Sequence, residues 1–310
     1  MQRPKHILSI DDLSVDFVKE IIRVAYSMKD VLSRDVKKLP TLRGKMLVNL
    51  FYEPSTRTRV SFEIAAKNLS AEVINFSAAG SSVEKGESLR DTIKTVEKLG
   101  ADFIVIRHPS EGASHFAAEV AQVASIINGG DGKGEHPTQA LLDLFTIVQE
   151  LSDGDIDSLR NITVTYIGDI LHSRVARSGI KLFRKLGMKT CVCAPSTLLP
   201  RGIESVAEVK NDLYSALKES DVAISLRLQK ERQQGVYFSD LREYNEFWEI
   251  TDELISKSNP NIIIMHPGPM NIGVEIEPKV AYGKQSVILK QVENGVAVRM
   301  AIIYLLFVGE

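Results

Sequence analysis

Cysteine is scarce in this chain: two in 310 residues, Cys191 and Cys193, with one residue between them. On a strand the two share a face, where neighbouring positions make poor disulfide partners, and no further metal ligands crowd around them. A disulfide scaffold and a zinc module are excluded; two core thiols in a cytoplasmic protein are expected. Charge of one sign is lacking too. Thirty-eight Lys and Arg oppose 40 Asp and Glu, a formal net charge of −2, so no global field favours nucleic acid. Any cationic site must be local, which suits a small anionic substrate. No apolar run can span a bilayer, since the most apolar segment, 296–308, is interrupted by Arg299. The opening Met1-Gln2-Arg3-Pro4-Lys5-His6 leads into an amphipathic stretch and is not a secretory signal. Also missing is the three-glycine dinucleotide fingerprint: Gly168-Asp169-Ile170-Leu171 follows a strand-like run without it, which excludes a nicotinamide dehydrogenase.

What is present is a globular composition, 44% hydrophobic and 25% charged, in a chain long enough for two α/β domains. The spacing predicts a helix over 15–32, then strands at 45–51, 72–76, 102–107 and 123–127 alternating with helices at 55–69, 88–99 and 111–120. Such alternation predicts a parallel sheet covered on both faces. A helix follows at 136–151, and the polar run 152–157 reads as a domain boundary. The pattern restarts with a strand at 162–167, a helix at 173–187 and strands at 189–194, 222–226 and 261–265. Residues 229–249 lack clean periodicity and read as a long loop; 285–308 reads as one helix.

Two runs carry chemistry. Phe51-Tyr52-Glu53-Pro54-Ser55-Thr56-Arg57-Thr58-Arg59 is the end of a strand, a turn and the first turn of a helix. Free N–H groups at that helix start, joined by Ser55, Thr56, Arg57 and Thr58, form a phosphate cradle. Capping alone needs one hydroxyl and explains neither the repeated hydroxyls nor the two arginines. The second run, Asn128 to Gln139, reads as a mobile glycine-rich loop that brings His136 and Gln139 to the start of another helix, with Pro137 as its first residue.

With Ser-Thr-Arg-Thr-Arg at 55–59, His-Pro-Thr-Gln at 136–139, Arg107-His108-Pro109, Gly168-Asp169, Arg174, Arg227 to Arg232 and His266-Pro267-Gly268-Pro269, the chain resembles the catalytic chains of the aspartate carbamoyltransferase family over essentially its whole length. The resemblance implies two doubly wound parallel-sheet α/β domains: 1–150 for carbamoyl phosphate, 151–285 for aspartate, and a C-terminal helix (about 286–310) that packs back on the first. It implies transfer of the carbamoyl group of carbamoyl phosphate to L-aspartate in pyrimidine synthesis, with no metal or cofactor. Ser55, Thr56, Arg57, Thr58 and Arg107 would hold the phosphate, with Thr58, Arg107 and His136 at the carbonyl oxygen. Gln139 and the backbone of Gly268 and Pro269 would read the carbamoyl NH₂. Arg174 would take the α-carboxylate of aspartate, and Arg227 and Gln229 its side-chain carboxylate, with Lys85 assisting. Ser81 and Lys85 would reach in from a neighbouring subunit, which makes a homotrimer with shared sites, and Glu53 would pair with Arg232 to brace a closed form. Regulatory chains and a dihydroorotase stay open as outer partners. Pro267 suits a rigid turn, with a cis bond as one option. The imidazole of His136, at a helix N-terminus, should be a neutral donor, while His6, His108, His115, His172 and His266 read as structural. One departure is Ile272, where many relatives have Arg.

The nearest rival is ornithine carbamoyltransferase, whose cationic substrate is electrostatically wrong for Lys85, Arg174 and Arg227. That family also usually has Cys at the place of Thr138. A non-catalytic homologue would have lost site residues, and none is lost.

Overall fold

The computed structural model describes residues 3–77, 86–229 and 240–309. They form two compact units, Met1–Phe145 with Val292–Glu310, and Thr146–Gln291.

In the first unit, β1 (Met46–Phe51), β2 (Glu72–Ser77), β3 (Phe103–His108) and β4 (Ser125–Asp131) make a sheet of order β2-β1-β3-β4 in which every pair is parallel. The central strands are buried almost throughout, which is why β1 and β3 read as continuous apolar runs rather than alternating ones. Its helices are α1 (Val15–Leu32), α2 (Thr56–Asn68), α3 (Leu89–Lys98), α4 (Ala113–Val120), α5 (Pro137–Leu151) and α11 (Ile288–Phe307), the last two running on into the second unit. Ile93 and Val96 of α3 and Ala117 and Val120 of α4 pack with Val48, Leu50, Ile104 and Ile106 of the sheet. The C-terminal helix packs back on this unit. Lys29 of α1 donates to Asn294 of α11 at 2.8 Å, and the Arg299 guanidinium lies 5.1 Å from the Phe62 ring of α2.

The second unit contains β5 (Thr163–Gly168), β6 (Lys189–Cys193), β7 (Glu208–Lys210), β8 (Val222–Leu226) and β9 (Ile263–Met265) in the order β7-β6-β5-β8-β9, again all parallel. Around it lie α6 (Arg174–Lys185), α7 (Leu213–Lys218), α8 (Leu241–Trp248), α9 (Asp252–Ser258) and α10 (Pro278–Ala281). Ile167, Cys193, Leu217, Ala223, Ile255, Ile264, Ile276 and Val280 form its core. Both cysteines are free and buried, and burial pushes the Cys193 thiol up to about 12, so it is inert at neutral pH. No helix among the described residues is long and apolar enough to cross a membrane.

Three expectations need correction. Residues 241–248 of the expected long loop are helical: Asp240 caps α8 by accepting from the N–H groups of Arg242 and Glu243. Its apolar side, Leu241, Tyr244 and Trp248, spans barely two turns inside a charged run, and of the three only Tyr244 is fully buried. The glycine-rich run at 128–134 is not a mobile loop. Its first four residues belong to β4, and the whole of β4 is buried. The cis peptide lies at Gly268–Pro269, not before Pro267.

Both sheets are doubly wound. From β1 the chain moves outward to β2, then returns to place β3 on the other side of β1; from β5 it moves out through β6 and β7, then returns with β8. Each return opens a crevice at the carboxyl ends of two neighbouring strands, where open α/β sheets bind ligands.

Glu97 of α3 ties that helix to the start of β4. One carboxylate oxygen accepts from three successive N–H groups, of Gln122, Val123 and Ala124, at 2.9, 2.7 and 2.8 Å. Burial works to raise its pKa, but the three donors outweigh it and hold the carboxyl below its ordinary value. A depressed folded-state pKa stabilises fully above the unfolded value and is lost as pH falls through the folded one. Glu97→Gln should therefore lower stability by roughly 1–3 kcal/mol at neutral pH. Denaturation curves at a series of pH values should show that deficit vanish in acid; a deficit independent of pH would contradict the account.

Candidate active site

At the β1/β3 crevice the chain leaves β1 through Tyr52, whose N–H donates to the Arg107 carbonyl at 2.8 Å. It turns into α2, where Ser55 is the N-cap and its hydroxyl accepts from the Thr58 N–H at 3.4 Å. Thr56 and Arg57 are exposed at the helix start while Thr58 is buried. This gathers hydroxyls, a guanidinium and the first N–H groups of the helix at one point, with the positive end of α2 behind them. Arg107, last but one in β3, reaches sideways across the sheet end: its Nη1 donates to the Gly129 carbonyl of β4 at 3.1 Å. Glu53 stands beside it, with Oε2 3.7 Å from Arg107 Nε.

His136 enters from β4 by a pinned turn. Asp131 accepts from Asn128 Nδ2 and Glu135 N–H on one oxygen and from Gly112 N–H on the other, at 3.1, 2.8 and 2.7 Å. The buried Glu135 carboxylate accepts from the Ser9 hydroxyl and the Ile10 N–H, both at 3.0 Å. Gly132 has φ +48°, and a Cβ there would stand 2.7 Å from the Pro109 carbonyl oxygen, so only glycine closes this turn. The His136 carbonyl accepts the first helical bonds of α5, from Gln139 and Ala140. Its ring is 4% exposed between two hydroxyls, Nε2 at 3.5 Å from Thr58 Oγ1 and Nδ1 at 3.4 Å from Thr138 Oγ1. Burial first, then the charges of Arg107 and Arg299, hold the imidazole well below its ordinary value. One helical turn on, Gln139 donates through Nε2 to Asp143 Oδ1 at 2.9 Å.

The second crevice, between β5 and β8, is stitched by Asp169. One of its oxygens lies 2.8 Å from His172 Nδ1 and accepts from the His172 N–H at 3.2 Å; the other accepts from the Gln229 N–H at 3.2 Å. Gln229 Nε2 returns a bond to the His172 carbonyl at 3.2 Å. Gly168, at φ +111°, lets this turn press against β8: a Cβ there would meet the Leu226 carbonyl oxygen at 2.7 Å. Ser173 caps α6, so Arg174 is its first residue, nearly buried, while Arg227 directly follows β8 and is half-buried. Further along, the Gly268 N–H donates to His266 Nδ1 at 2.8 Å, which leaves Nε2 to carry the ring proton toward Glu275 at 3.2 Å. That pair holds the Gly268–Pro269 turn.

Of the residues expected from sequence, Ser55, Thr56, Arg57, Thr58, Arg107, His136 and Gln139 lie together in the first unit, and Arg174, Arg227 and Gln229 in the second. Ser81, Lys85 and Arg232 lie outside the described residues. Asp143 and Arg299 were not foreseen as members, and Asp169 entered only as part of the Gly168-Asp169 motif. Their signal was present as charges inside apolar runs, and Arg299 was read only as an interruption.

Residues 5–149 match the domain described as "Aspartate/ornithine carbamoyltransferase, carbamoyl-P binding domain", and residues 160–306 match its "Asp/Orn binding domain". The chain belongs to the aspartate/ornithine carbamoyltransferase family. Within it, the chain is 52% identical over 307 residues to the aspartate carbamoyltransferase catalytic subunit of Syntrophotalea carbinolica, covering 99% of this chain and 96% of that one. Its fold is similar to that of the Trypanosoma cruzi aspartate transcarbamoylase in complex with carbamoyl phosphate and aspartate, with a TM-score of 0.86, 33% identity and coverage of 98% and 97%. It is also similar to the catalytic subunit of M. Jannaschii aspartate transcarbamoylase, with a TM-score of 0.85, 38% identity and 98% of both chains covered.

The environment of His136 makes a direct prediction. Nuclear magnetic resonance titration of its imidazole should give a midpoint below the ~6.5 of free histidine. Removing a nearby cation by Arg299→Met should raise it; an elevated wild-type midpoint would mean that a protonated imidazole occupies the site.

Proposed function

We infer that this chain is an aspartate carbamoyltransferase, moving the carbamoyl group of carbamoyl phosphate onto the amine of L-aspartate to give N-carbamoyl-L-aspartate and phosphate in pyrimidine synthesis. The observation that carries the chemistry is the meeting, at the β1/β3 crevice, of the capped start of α2 with Arg107 and a neutral, buried His136. Ser55, Thr56, Arg57 and Thr58 bind the phosphate. Thr58, Arg107 and His136 donate to the carbonyl oxygen as it gains charge, the role of a preorganised oxyanion site. A neutral imidazole is the right donor there, since it keeps its N–H without drawing the phosphate to itself as a counter-ion. Gln139 and the carbonyls of Gly268 and Pro269 accept from the carbamoyl NH₂. Aspartate is taken by Arg174 at its α-carboxylate and by Arg227, Gln229 and Lys85 at its side chain. No side chain stands as general base, and the departing phosphate accepts the proton of the attacking amine. We assign carbamoyl phosphate to residues 1–150 with the C-terminal helix, and aspartate to 151–285.

We further propose a homotrimer with shared sites. β2 is a sheet edge whose Ile74 is 47% exposed, and α2 turns Val60 and Ile64 outward, at 38% and 41%. An apolar edge of this kind supports pairing with another copy. The segment holding Ser81 and Lys85 follows β2 in the sequence and lies outside the described residues. Glu53 and Arg232 are kept as the brace of the closed form, and regulatory chains or a dihydroorotase remain the outer partners to be sought. Two free, buried cysteines support a reducing compartment, the cytoplasm.

Purified protein should consume carbamoyl phosphate and L-aspartate and release phosphate and N-carbamoyl-L-aspartate. Arg227→Ala should abolish saturation by aspartate while carbamoyl phosphate still binds. Faster carbamoylation of L-ornithine than of aspartate would refute the substrate assignment.

The shared site has its own test. Lys85→Ala and Arg57→Ala chains should each be nearly inactive, and regain activity when mixed, dissociated and reassociated. In random head-to-tail trimers about one site in four meets both intact halves. A mixture that stays inactive despite proven subunit exchange would return 81–87 to an ordinary solvated turn.

A further inference from the structure

Gln139 can read a carbamoyl group only if its amide is the right way round. An amide presents a carbonyl on one side and an NH₂ on the other, nearly identical in shape, and a flip exchanges acceptor for donors. The carbamoyl NH₂ is itself a donor, so Gln139 must offer it Oε1. Some neighbour has to hold the other end.

That neighbour is Asp143, one helical turn along α5, whose Oδ1 receives the Gln139 Nε2 proton at 2.9 Å. Among the described residues this is the hydrogen bond made by the Gln139 side chain. Asp143 is fully buried, flanked by Leu142 and Leu144 and followed by Phe145, all themselves buried. A lone carboxyl in such a place would take up a proton, and a protonated acid could either donate to the amide oxygen or accept from its NH₂. Both flips would then be open. The compensating charge comes from α11: Arg299 is 4% exposed, its guanidinium lies over the Phe62 ring, and Asp143 is the charge that favours its protonated form. Burial lowers Arg299 only to about 10, so it stays cationic at neutral pH.

We propose that Asp143 is a positioning residue that locks the Gln139 amide with Oε1 outward, and that this lock makes the site select a carbamoyl NH₂ over an isosteric methyl group. A carboxylate accepts and never donates, so facing Asp143 with the Gln139 carbonyl would set oxygen against charged oxygen. The selection follows from chemistry at the other end: Oε1 gains a hydrogen bond from NH₂ and none from CH₃. This deepens the assignment of Gln139 made above and rests on it.

The test compares carbamoyl phosphate with acetyl phosphate, which has CH₃ in place of NH₂. Asp143→Asn keeps the shape of the side chain but can face either end of the amide. With either end of the amide open, about half of the Gln139 side chains still present Oε1, so the variant should lower kcat/KM for carbamoyl phosphate about twofold while leaving the Ki of acetyl phosphate as a competitor unchanged. Gln139→Ala should show the same pattern, and the Gln139→Ala/Asp143→Asn pair should be no worse than Gln139→Ala alone. A double variant reduced by the product of the two single losses would mean that Asp143 acts structurally, and would overturn the proposal. If Gln139→Ala shifts the preference but Asp143→Asn does not, only the positioning role fails. If Gln139→Ala leaves the preference untouched, the reading of Gln139 fails and this inference goes with it. The unaltered enzyme gives an independent measurement should Asp143→Asn not fold. With glutamine side chains labelled with nitrogen-15, one Gln139 Nε2 proton should be shifted downfield and slow to exchange, and the other ordinary. Two equally fast-exchanging protons would show that no lock exists.

Discussion

A parallel strand followed by a helix ends with donors pointing at empty space: the last strand residue, the turn and the first N–H groups of the helix all face the carboxyl edge of the sheet. Where the winding direction reverses, two such ends stand side by side with no crossing connection above them. Everything chemical in this chain hangs on that reversal. In the first unit it sets α2's capped start beside Arg107; in the second it sets Arg174 beside Arg227 and Gln229, with Asp169 bonded across the gap. The side chains differ between the two halves, but the backbone solution is shared.

Cations gather around His136 in the first unit, and this carries an electrostatic risk for the imidazole among them. Arg107 and Arg299 both push His136 toward neutrality, on top of the larger effect of burial. The same cations need company of their own. Glu53 stands near Arg107 and Asp143 favours charged Arg299, so neither guanidinium is left to find its partner only in the substrate. Such pairs contribute little net stability when buried. Their value here is geometric: each acid fixes a donor while the polarity of the crevice stays positive.

Much of this was legible in the order of residues because the elements near the site are strongly periodic. α1 and β8 run over the residues that spacing predicts, and the boundaries of β1, β2 and β3 differ from it by one residue. The cluster at the start of α2, proposed as the phosphate cradle, stands out in the sequence for another reason, a density of hydroxyls and guanidiniums that a cap does not need. What escaped was tertiary in origin. Glycines 129 and 132 look like loop composition, yet they are small because the β4 end and the Asp131 turn lie against neighbouring backbone. α8 turns inward only through the short set Leu241, Tyr244 and Trp248, too brief to stand out among charged neighbours. Asp143 and Arg299 sit on helices far apart in the chain, and neither spacing nor composition links one to the other.

The Arg299 contact also has a temporal side. The first unit is interrupted: Val292–Glu310 complete it only after the whole of Thr146–Gln291 has intervened. A ribosome therefore emits the cradle, Arg107, His136 and Asp143 early and must make every residue of the second unit before Arg299 emerges. Until then α5 holds an acid without its cation, and Phe62 lacks the guanidinium that lies over it. The half-site encoded first is the one finished last, so a chain truncated near its end would lose the site at its beginning.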